Sequence, residues 1–262
     1  MTWAIESSLL IPSVTNSTFQ LSHTYSSTMW PSLTSSLRAG LLLCLTAVAS
    51  CQTCTNHPAY NGVVSDGPAV MTDDPLRNFD AIMVPELNDT VIEEWSHDAV
   101  SSDGLAGLAW TYSRGTIVGR HGAQRVLIAA AWPNGTSFLE TVWFDQSNIE
   151  ACPEKTSGHW FNTTSAVTEW KWESTIDFKD TIVTVNTPNV KGTIRMKSVT
   201  PPLYPNGLVY PNPGGNTLFG PMLYWVENVP VGTVEANLTI KGTPFVLSGI
   251  GGRERNWLSL GW

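Results

Sequence analysis

Charged side chains are scarce in this sequence, and basic ones especially so. Only 14% of its 262 residues are charged, and 14 Lys and Arg face 22 Asp and Glu, which gives a formal net charge of -8. Nucleic acids and anionic membrane surfaces are bound by clustered basic residues, so we expect neither as a partner. Because 42% of the residues are apolar, the chain can build the core of one large domain or two small ones, and disorder is excluded.

The sequence also lacks the common catalytic motifs. It contains no nucleophile elbow, no phosphate-binding glycine loop and no serine-triad signature. Cys51-x-x-Cys54 followed by His57 supplies part of a ligand set, but no second Cys or His pair completes a zinc site. We therefore predict that the protein uses no metal and no cofactor.

Tryptophan, in contrast, is abundant, with twelve residues. A buried indole needs a partner for its N–H group, so some of these rings are expected to line a cavity while others form ordinary core. With the acidic composition, this favours a neutral or hydrophobic small molecule as ligand.

The first 49 residues are predicted to be a leader and secretory signal. An apolar run over residues 40–48, too short to span a bilayer, ends in the small-residue cleavage site Ala47-Val48-Ala49. A Ser/Thr-rich stretch precedes the run, which makes Met29 a better start than Met1. A buried helix is the alternative interpretation of this segment.

Sequons and cysteines agree with a secreted location. In an oxidising compartment Cys152 would pair with Cys51 or Cys54 and leave one thiol over, and the sequence does not choose between the two. Four Asn-x-Ser/Thr sequons are predicted glycosylation sites: Asn88, Asn134, Asn162 and Asn237.

Residues 50–90 are predicted to be an irregular lead-in, since Pro, Asn, Asp and Gly are frequent there and periodicity is weak. From residue 91 to 262, short runs of β-branched and aromatic residues alternate with turn residues, and no long helix is indicated. The alternation is clearest at 169–173, where both Trp fall on one face and the charges on the other. The pattern predicts an all-β domain of about eight to ten antiparallel strands, as a barrel or a strongly curved sandwich.

The Pro- and Gly-rich stretch 201–221 is too long for a tight connection between strands. It is predicted either to cap the mouth of the barrel or to be a plain surface excursion.

Charge lies beside Trp in two segments, the first of which is 93–104. Alternation would place Glu94 and Asp98 on one face and Trp95 and His97 on the other, so that a carboxylate pair would point into the barrel. The alternative is that the aspartates of this segment only cap turns.

The second such segment is 249–257. Its glycines allow close backbone approach, and Arg253, Glu254 and Arg255 are expected to form a buried ion network with Asn256, leaving Trp257 to face a pocket. A salt-bridge cluster at the end of a strand is the alternative.

These segments carry a family resemblance. In order and spacing, the residues between 91 and 257 resemble the signature series of the fungal Diels-Alderase family, itself related to hydroxyneurosporene synthase. The matching motifs are Trp95-x-x-Asp98-Ala99-Val100-Ser101-x-Asp103-Gly104, Gly220-Pro221-x-x-x-Trp225 with Pro230, and Gly249-x-Gly251-Gly252-x-Glu254-x-Asn256-Trp257.

The resemblance implies two lipocalin-like β-domains, with a substrate pocket around the first and its junction with the second. It also implies cofactor-independent pericyclic cyclisation of a hydrophobic polyene or polyketide-derived intermediate in fungal secondary metabolism. The chain departs from the family at His97, where an aromatic residue is common, and at Arg253, where His or Tyr is common. Family members continue past the last motif into a second barrel, so a missing second domain or self-association is expected.

Two alternative functions remain, namely a carrier that binds a hydrophobic metabolite without turnover and a hydratase of an isolated double bond.

The resemblance also supplies the predicted site. The predicted catalytic residues are Glu94, Asp98 and Asn256, and the predicted substrate-binding residues are Trp95, Trp225, Arg253, Glu254 and Trp257.

Overall fold

The computed structural model describes residues 53–164 and 168–259. The predicted leader, residues 1–49, and Cys51 lie outside these ranges. Within them no helix has the length and apolarity that crossing a bilayer requires. The described chain forms thirteen strands: β1 (Thr55–Tyr60), β2 (Val91–Ser101), β3 (Gly107–Ile117), β4 (Arg120–Ala131), β5 (Ser137–Phe144), β6 (Gln146–Ala151), β7 (Lys155–Phe161), β8 (Glu169–Thr175), β9 (Asp180–Asn186), β10 (Val190–Ser198), β11 (Leu218–Gly220), β12 (Leu223–Ile240) and β13 (Thr243–Ser259).

The strands form one antiparallel sheet in the order β1-β6-β7-β8-β9-β10-β12-β13-β2-β3-β4-β5, and β11 pairs with β12. The sheet is curled so that its two halves face each other. This is shown by the ring of Trp95 in β2, whose centroid lies 5.7 Å from that of Trp160 in β7 and 6.3 Å from that of Trp172 in β8. The predicted all-β, strongly curved antiparallel fold is confirmed. The core lies between the two halves.

Local patterns account for much of this architecture. In β8 the alternation holds as predicted, with Trp170 and Trp172 buried and Lys171 and Glu173 exposed. The β4–β5 hairpin turns at 132–136, where the amide of Trp132 donates to the carbonyl of Thr136 at 2.9 Å. Period-two alternation fixes which residues share a face of each strand.

The described chain has more strands than the eight to ten expected. The hairpin of β6 and β7 was missed because its segment, QSNIEACPEKTSGHWF, contains few β-branched residues. Two other strands are longer than the sequence indicated, since β12 and β13 run for 18 and 17 residues through Gly and Pro positions that resemble breaks.

The prediction that residues 50–90 are irregular was wrong at its start, because β1 pairs with β6 there. Residues 61–90, which we call the lead-in segment, contain no strand but are built into the core. Phe79, Ile82, Met83 and Val84 are buried in the main hydrophobic cluster. The segment closes one side of the space between the two halves of the sheet.

The loop between β10 and β11 packs on the lead-in segment. Tyr204 and Tyr210 lie 5.0 and 4.4 Å from the ring of Phe79, and the Tyr204 hydroxyl donates to the carbonyl of Pro75. The long Pro- and Gly-rich stretch is therefore a cover over the lead-in segment.

Candidate functional site

The predicted site residues are divided between the two faces of the sheet. β2 and β13 pair in register, and β13 pairs with β12 on its other side, so neighbouring strands present their residues to the same face in rows. The outward set is Glu94, Asp98, Trp225, Glu254 and Asn256, and the inward set is Trp95, Arg253 and Trp257.

The expectation that a carboxylate pair points into the barrel was wrong. Glu94 and Asp98 do share a face, but it is the outward one, because the bulky rings of Trp95 and His97 take the interior positions. The acid that β2 sends inward is Glu93, which is fully buried. The expected network of Arg253, Glu254, Arg255 and Asn256 is corrected likewise, since only the two arginines face the interior.

Glu93 is the centre of the interior ion network. Its carboxylate accepts hydrogen bonds from Arg114 Nε at 2.7 Å, from Arg255 and from the amide of Met83 at 2.6 Å. Burial raises the pKa of Glu93, but the charges of Arg114 and Arg255 outweigh it, so the pKa lies below its ordinary value. Burial also lowers the pKa of Arg255, to about 10, against the opposing charge of Glu93.

Arg253 anchors the lead-in segment at a second point. It forms a buried ion pair with Asp80, and its Nη1 donates to Ser174 Oγ at 2.9 Å and Thr181 Oγ1 at 3.1 Å. Its guanidinium lies 4.9 Å from the ring of Trp172. Arg253, which stands where His or Tyr is common in the family, is thus paired with a buried acid of the lead-in segment, Asp80.

Aromatic rings fill the rest of the interior. Trp257 donates its indole N–H to the carbonyl of Thr72 at 3.1 Å, and His97 stacks on Trp110 at 4.7 Å. Burial and then the charge of Arg253 hold the pKa of His97 well below its usual range, so the imidazole is neutral. Trp95, Arg253 and Trp257 are therefore core and anchor residues, and they pack on the inward face of the sheet.

A groove with a volume of about 630 Å³ lies on the outward face of the described sheet. It forms where the pairing of β12 with β13 shifts register between Val229 and Gly232, opposite Gly251. We call it the outer groove. Its wall residues are Ser96–Val100 of β2, Ala109 and Thr111 of β3, Glu227 and Val229–Val231 of β12, and Ile250–Glu254 of β13.

Gly252 leaves the floor of the outer groove bare. Its amide donates to Asp98 Oδ1 at 2.9 Å. A Cβ at this position would lie 3.4 Å from the same oxygen and from the carbonyl oxygen of Val229, which is ordinary contact. A Cβ at residue 252 therefore causes no backbone strain, and the rest of a larger side chain would extend into the groove.

The groove has an acidic wall. Asp98, Glu227 and Glu254 all contribute to it, whereas the guanidinium of Arg253 is turned to Asp80 in the interior. Glu254 accepts a hydrogen bond from the indole N–H of Trp225 at 2.8 Å. Burial and then the charge of Glu254 raise the pKa of Glu227.

The other outward residues of the predicted site lie beside the groove. Glu94 accepts hydrogen bonds from Ser113 Oγ at 2.7 Å and Arg125 Nη2 at 3.0 Å. Asn256 stands between Glu94 and Trp225 in the strand register. The structure thus brings Asp98 and Glu254 into the groove and places Glu94, Asn256 and Trp225 along its end.

Glu227 was not predicted from the sequence as a site residue. Glu227 lies between Trp225 and Pro230, two residues of a family motif, and this position was the one indication in the sequence that it belongs to the site. Ser96 and Thr111 were not predicted either, and the Thr111 hydroxyl donates to Ser96 Oγ at 3.2 Å inside the groove.

The four predicted glycosylation sites differ in accessibility. Asn134 and Asn237 are exposed, and Asn162 is partly exposed. Asn88 is only 5% exposed, and its Nδ2 donates to the carbonyl of Gly67 at 3.1 Å. The folded chain leaves no room for a glycan on Asn88.

Cys54 and Cys152 form a disulfide, which resolves the pairing that the sequence left open. The two sulfurs and the Glu150 carboxylate form a close group of metal-type ligands. Both thiols are used in the disulfide, however, so this group does not fit a metal ion.

Comparisons with known proteins agree with this architecture. A family model described as Diels-Alderase-like matches residues 53–262. The Diels-Alderase poxQ of Penicillium oxalicum is 34% identical over 191 residues, covering 72% of this chain and 43% of that protein. The Diels-Alderases cheD of Chaetomium globosum and phmD of Phaeosphaeria nodorum are 32% and 33% identical, covering 74% and 76% of this chain but 46% and 55% of the relatives.

Among solved structures, CghA with Sch210972 superposes with a TM-score of 0.65 at 20% identity, covering 78% of this chain and 56% of that one. This likeness supports the fold. The chain spans about half the length of the curated relatives it matches. From the family model and the relatives together, the chain belongs to the Diels-Alderase-like family.

Proposed function

We propose that this chain is the substrate-binding half of a Diels-Alderase-type cyclase and that the outer groove holds a hydrophobic polyene or polyketide-derived substrate. The observation that carries the proposal is the convergence of the family motifs on one cavity. Asp98, Pro230, Gly251, Gly252 and Glu254 come from three separate motifs and all line the groove. A volume of about 630 Å³ lies in the range of small-molecule sites.

The filled interior also supports this placement. Lipocalin-like sheets can hold a ligand between their two halves, but here large aromatic side chains, buried arginines and the lead-in segment occupy that space. A ligand is therefore better accommodated on the outward face, where Val100, Val231 and Ile250 expose apolar side chains at the groove.

The groove can promote a pericyclic reaction chiefly by positioning. A linear polyene reaches the transition state only after its diene and its acceptor alkene are folded together, and a fitted apolar surface removes that entropic cost before reaction. Hydrogen bonds to a carbonyl conjugated with the acceptor alkene lower the remaining barrier. The hydroxyl groups of Ser96 and Thr111 lie in the groove as polar contacts for this purpose.

The groove is open on the outward side, and the curated relatives are about twice as long as the matched region. We therefore propose that a second lipocalin-like domain covers it, or that a second copy of the chain does so. The edge strands β1 and β5 offer backbone groups for such association.

Filling the groove should strongly impair its function. Gly252→Phe is expected to lower cyclisation about 100-fold, because a misplaced substrate loses the benefit of positioning. The assay measures cyclised product and its diastereomer ratio by chromatography and mass spectrometry. The substrates are linear polyenes that end in a conjugated carbonyl acceptor. Each is assayed with the chain alone and with the second half of the Penicillium oxalicum relative added as a separate protein.

The matched control is Val246→Phe, which adds an aromatic ring to an exposed position of the same strand far from the groove. It should leave cyclisation unchanged. Equal losses in the two variants would argue against the groove as the substrate site. Polyene binding without turnover, lost in Gly252→Phe, would favour the non-catalytic carrier that the sequence left as an alternative.

We also propose that the protein passes through the secretory pathway, since a disulfide and accessible sequons accompany the predicted signal. Expressed through that pathway, the chain should carry glycans on Asn134, Asn162 and Asn237 but not on Asn88. Peptide mass spectrometry after enzymatic deglycosylation in heavy-oxygen water checks this site by site. Occupancy at Asn88, or at none of the four, would contradict the prediction.

A further inference from the structure

We propose that Glu227 is a catalytic residue of the outer groove. Its carboxyl group is neutral and donates a hydrogen bond to a carbonyl of the substrate. This inference rests on the proposed function of the groove and identifies the donor that activates the acceptor alkene. It also specifies the substrate class as a polyene whose acceptor alkene is conjugated with a carbonyl group. No proton is transferred, because the hydrogen bond only withdraws electron density while the new carbon–carbon bonds form.

The position of Glu227 is fixed by the backbone on both sides. Its amide donates to the carbonyl of Leu203 at 3.0 Å, and its carbonyl accepts from the amide of Leu203 at 2.9 Å. The neighbouring Val226 and Asn228 are fully buried, and Asn228 donates to Asp80 at 2.9 Å. The side chain between them is therefore held on the wall of the groove, next to the register shift of β12.

The partners of the two facing glutamates differ. Glu227 lies directly opposite Glu254 in the pairing of β12 with β13. The Glu254 carboxyl already accepts a hydrogen bond from the indole N–H of Trp225. In the described part of the chain, the Glu227 carboxyl has neither a hydrogen bond nor an ion pair.

Like charges directly across a strand pair are unfavourable, and two neighbouring carboxyl groups relieve the repulsion when one of them keeps its proton. Because the Glu254 carboxyl is engaged by the Trp225 indole whereas the Glu227 carboxyl lies opposite it on the groove wall with no partner among the described residues, we assign the proton of this pair to Glu227. The titratable groups that face it are Glu254 from β13 and Asp98 from β2, while the guanidinium of Arg253 is turned away to Asp80. The raised pKa of Glu227, from burial and the charge of Glu254, agrees with this assignment.

A direct test that needs no substrate is carboxyl NMR of the full chain labelled with carbon-13 glutamate. Glu227→Gln identifies the Glu227 resonance by its loss. The resonance should titrate above the other glutamates, and Glu254→Gln should move its pKa down towards the ordinary range. The same pKa in wild type and Glu254→Gln, or an ordinary pKa in wild type, would overturn the proposal.

The second test uses the polyene cyclisation assay across a range of pH. The wild-type rate should fall as the pH rises through the pKa of Glu227, because the donor form is lost. Glu227→Gln keeps an N–H donor and should remove this pH dependence while retaining most of the rate. Glu227→Ala lacks a donor and should lose about 100-fold, the typical effect of removing one such donor.

The control variant is Glu235→Gln, which replaces an exposed glutamate of the same strand that bonds Ser248 away from the groove. It should leave both the rate and the pH profile unchanged. Turnover that is indifferent to Glu227→Ala would reject the role of Glu227 and leave the groove function standing. Absence of turnover in wild type, with the NMR result as expected, would instead count against the proposed function.

Discussion

Replacing Arg255 with Met is expected to lower the free energy of unfolding by about 3–5 kcal/mol, the usual cost of removing one partner from a buried ion pair. Glu93 would remain fully buried and would lose one of its two arginines. The lead-in segment would lose the bonds that Arg255 donates to the carbonyls of Phe79 and Ala81. Urea unfolding followed by tryptophan fluorescence measures the effect.

The matched control is Arg195→Met, which removes a partner of Asp180 in an ion pair whose arginine side chain is 51% exposed. Such exposed pairs contribute about 0–1 kcal/mol. If the two variants lost equal stability, the interior network would not have the anchoring role described above. A larger loss for Arg255→Met with an unchanged fold in the control would support it.

Removing the disulfide should have a comparable effect. Cys54→Ser with Cys152→Ser opens a loop whose ends are 98 residues apart, and constraint of the unfolded chain by a loop of this length contributes about 4.7 kcal/mol. The double variant should unfold at correspondingly lower urea concentration. Wild type measured in a reducing agent should behave in the same way.

Cys51→Ser is the control for this pair, because it leaves Cys54 and Cys152 intact. Its stability should equal that of wild type. If Cys51→Ser lowered stability and Cys54→Ser did not, the disulfide would instead join Cys51 to Cys152. The measurement therefore distinguishes the two pairings that the sequence leaves open.

Local sequence patterns were sufficient to predict the fold class and the shared face of most neighbouring side chains. The Glu169–Glu173 pattern gave the correct alternation, and so did the pattern around Trp95. A period of two divides residues into two faces but does not say which face is covered by the rest of the protein. For this reason Glu94 and Asp98 were assigned to one face correctly and to the interior wrongly.

The site depended more on contacts between distant parts of the chain. Asp80 and Arg253, which anchor the lead-in segment, are 173 residues apart, and no local pattern links them. The outer groove lies where β12 shifts register against β13, a property of the strand pair that neither strand shows alone. Asp98 and Glu254 were found through the family motifs, whereas Glu227 is identified by its surroundings in the folded chain.

The long sequence separation of these anchors also affects the course of folding. Contacts of high sequence separation slow the folding of β proteins because loop closure must precede the gain from contact. Arg253 and Arg255 belong to the last described strand, and their partners Asp80 and Glu93 precede most of the sheet. During synthesis, therefore, the bonds that Arg253 and Arg255 make to the lead-in segment cannot form until that strand has left the ribosome, and until then only earlier strands, through Glu93 and Arg114, can hold the segment.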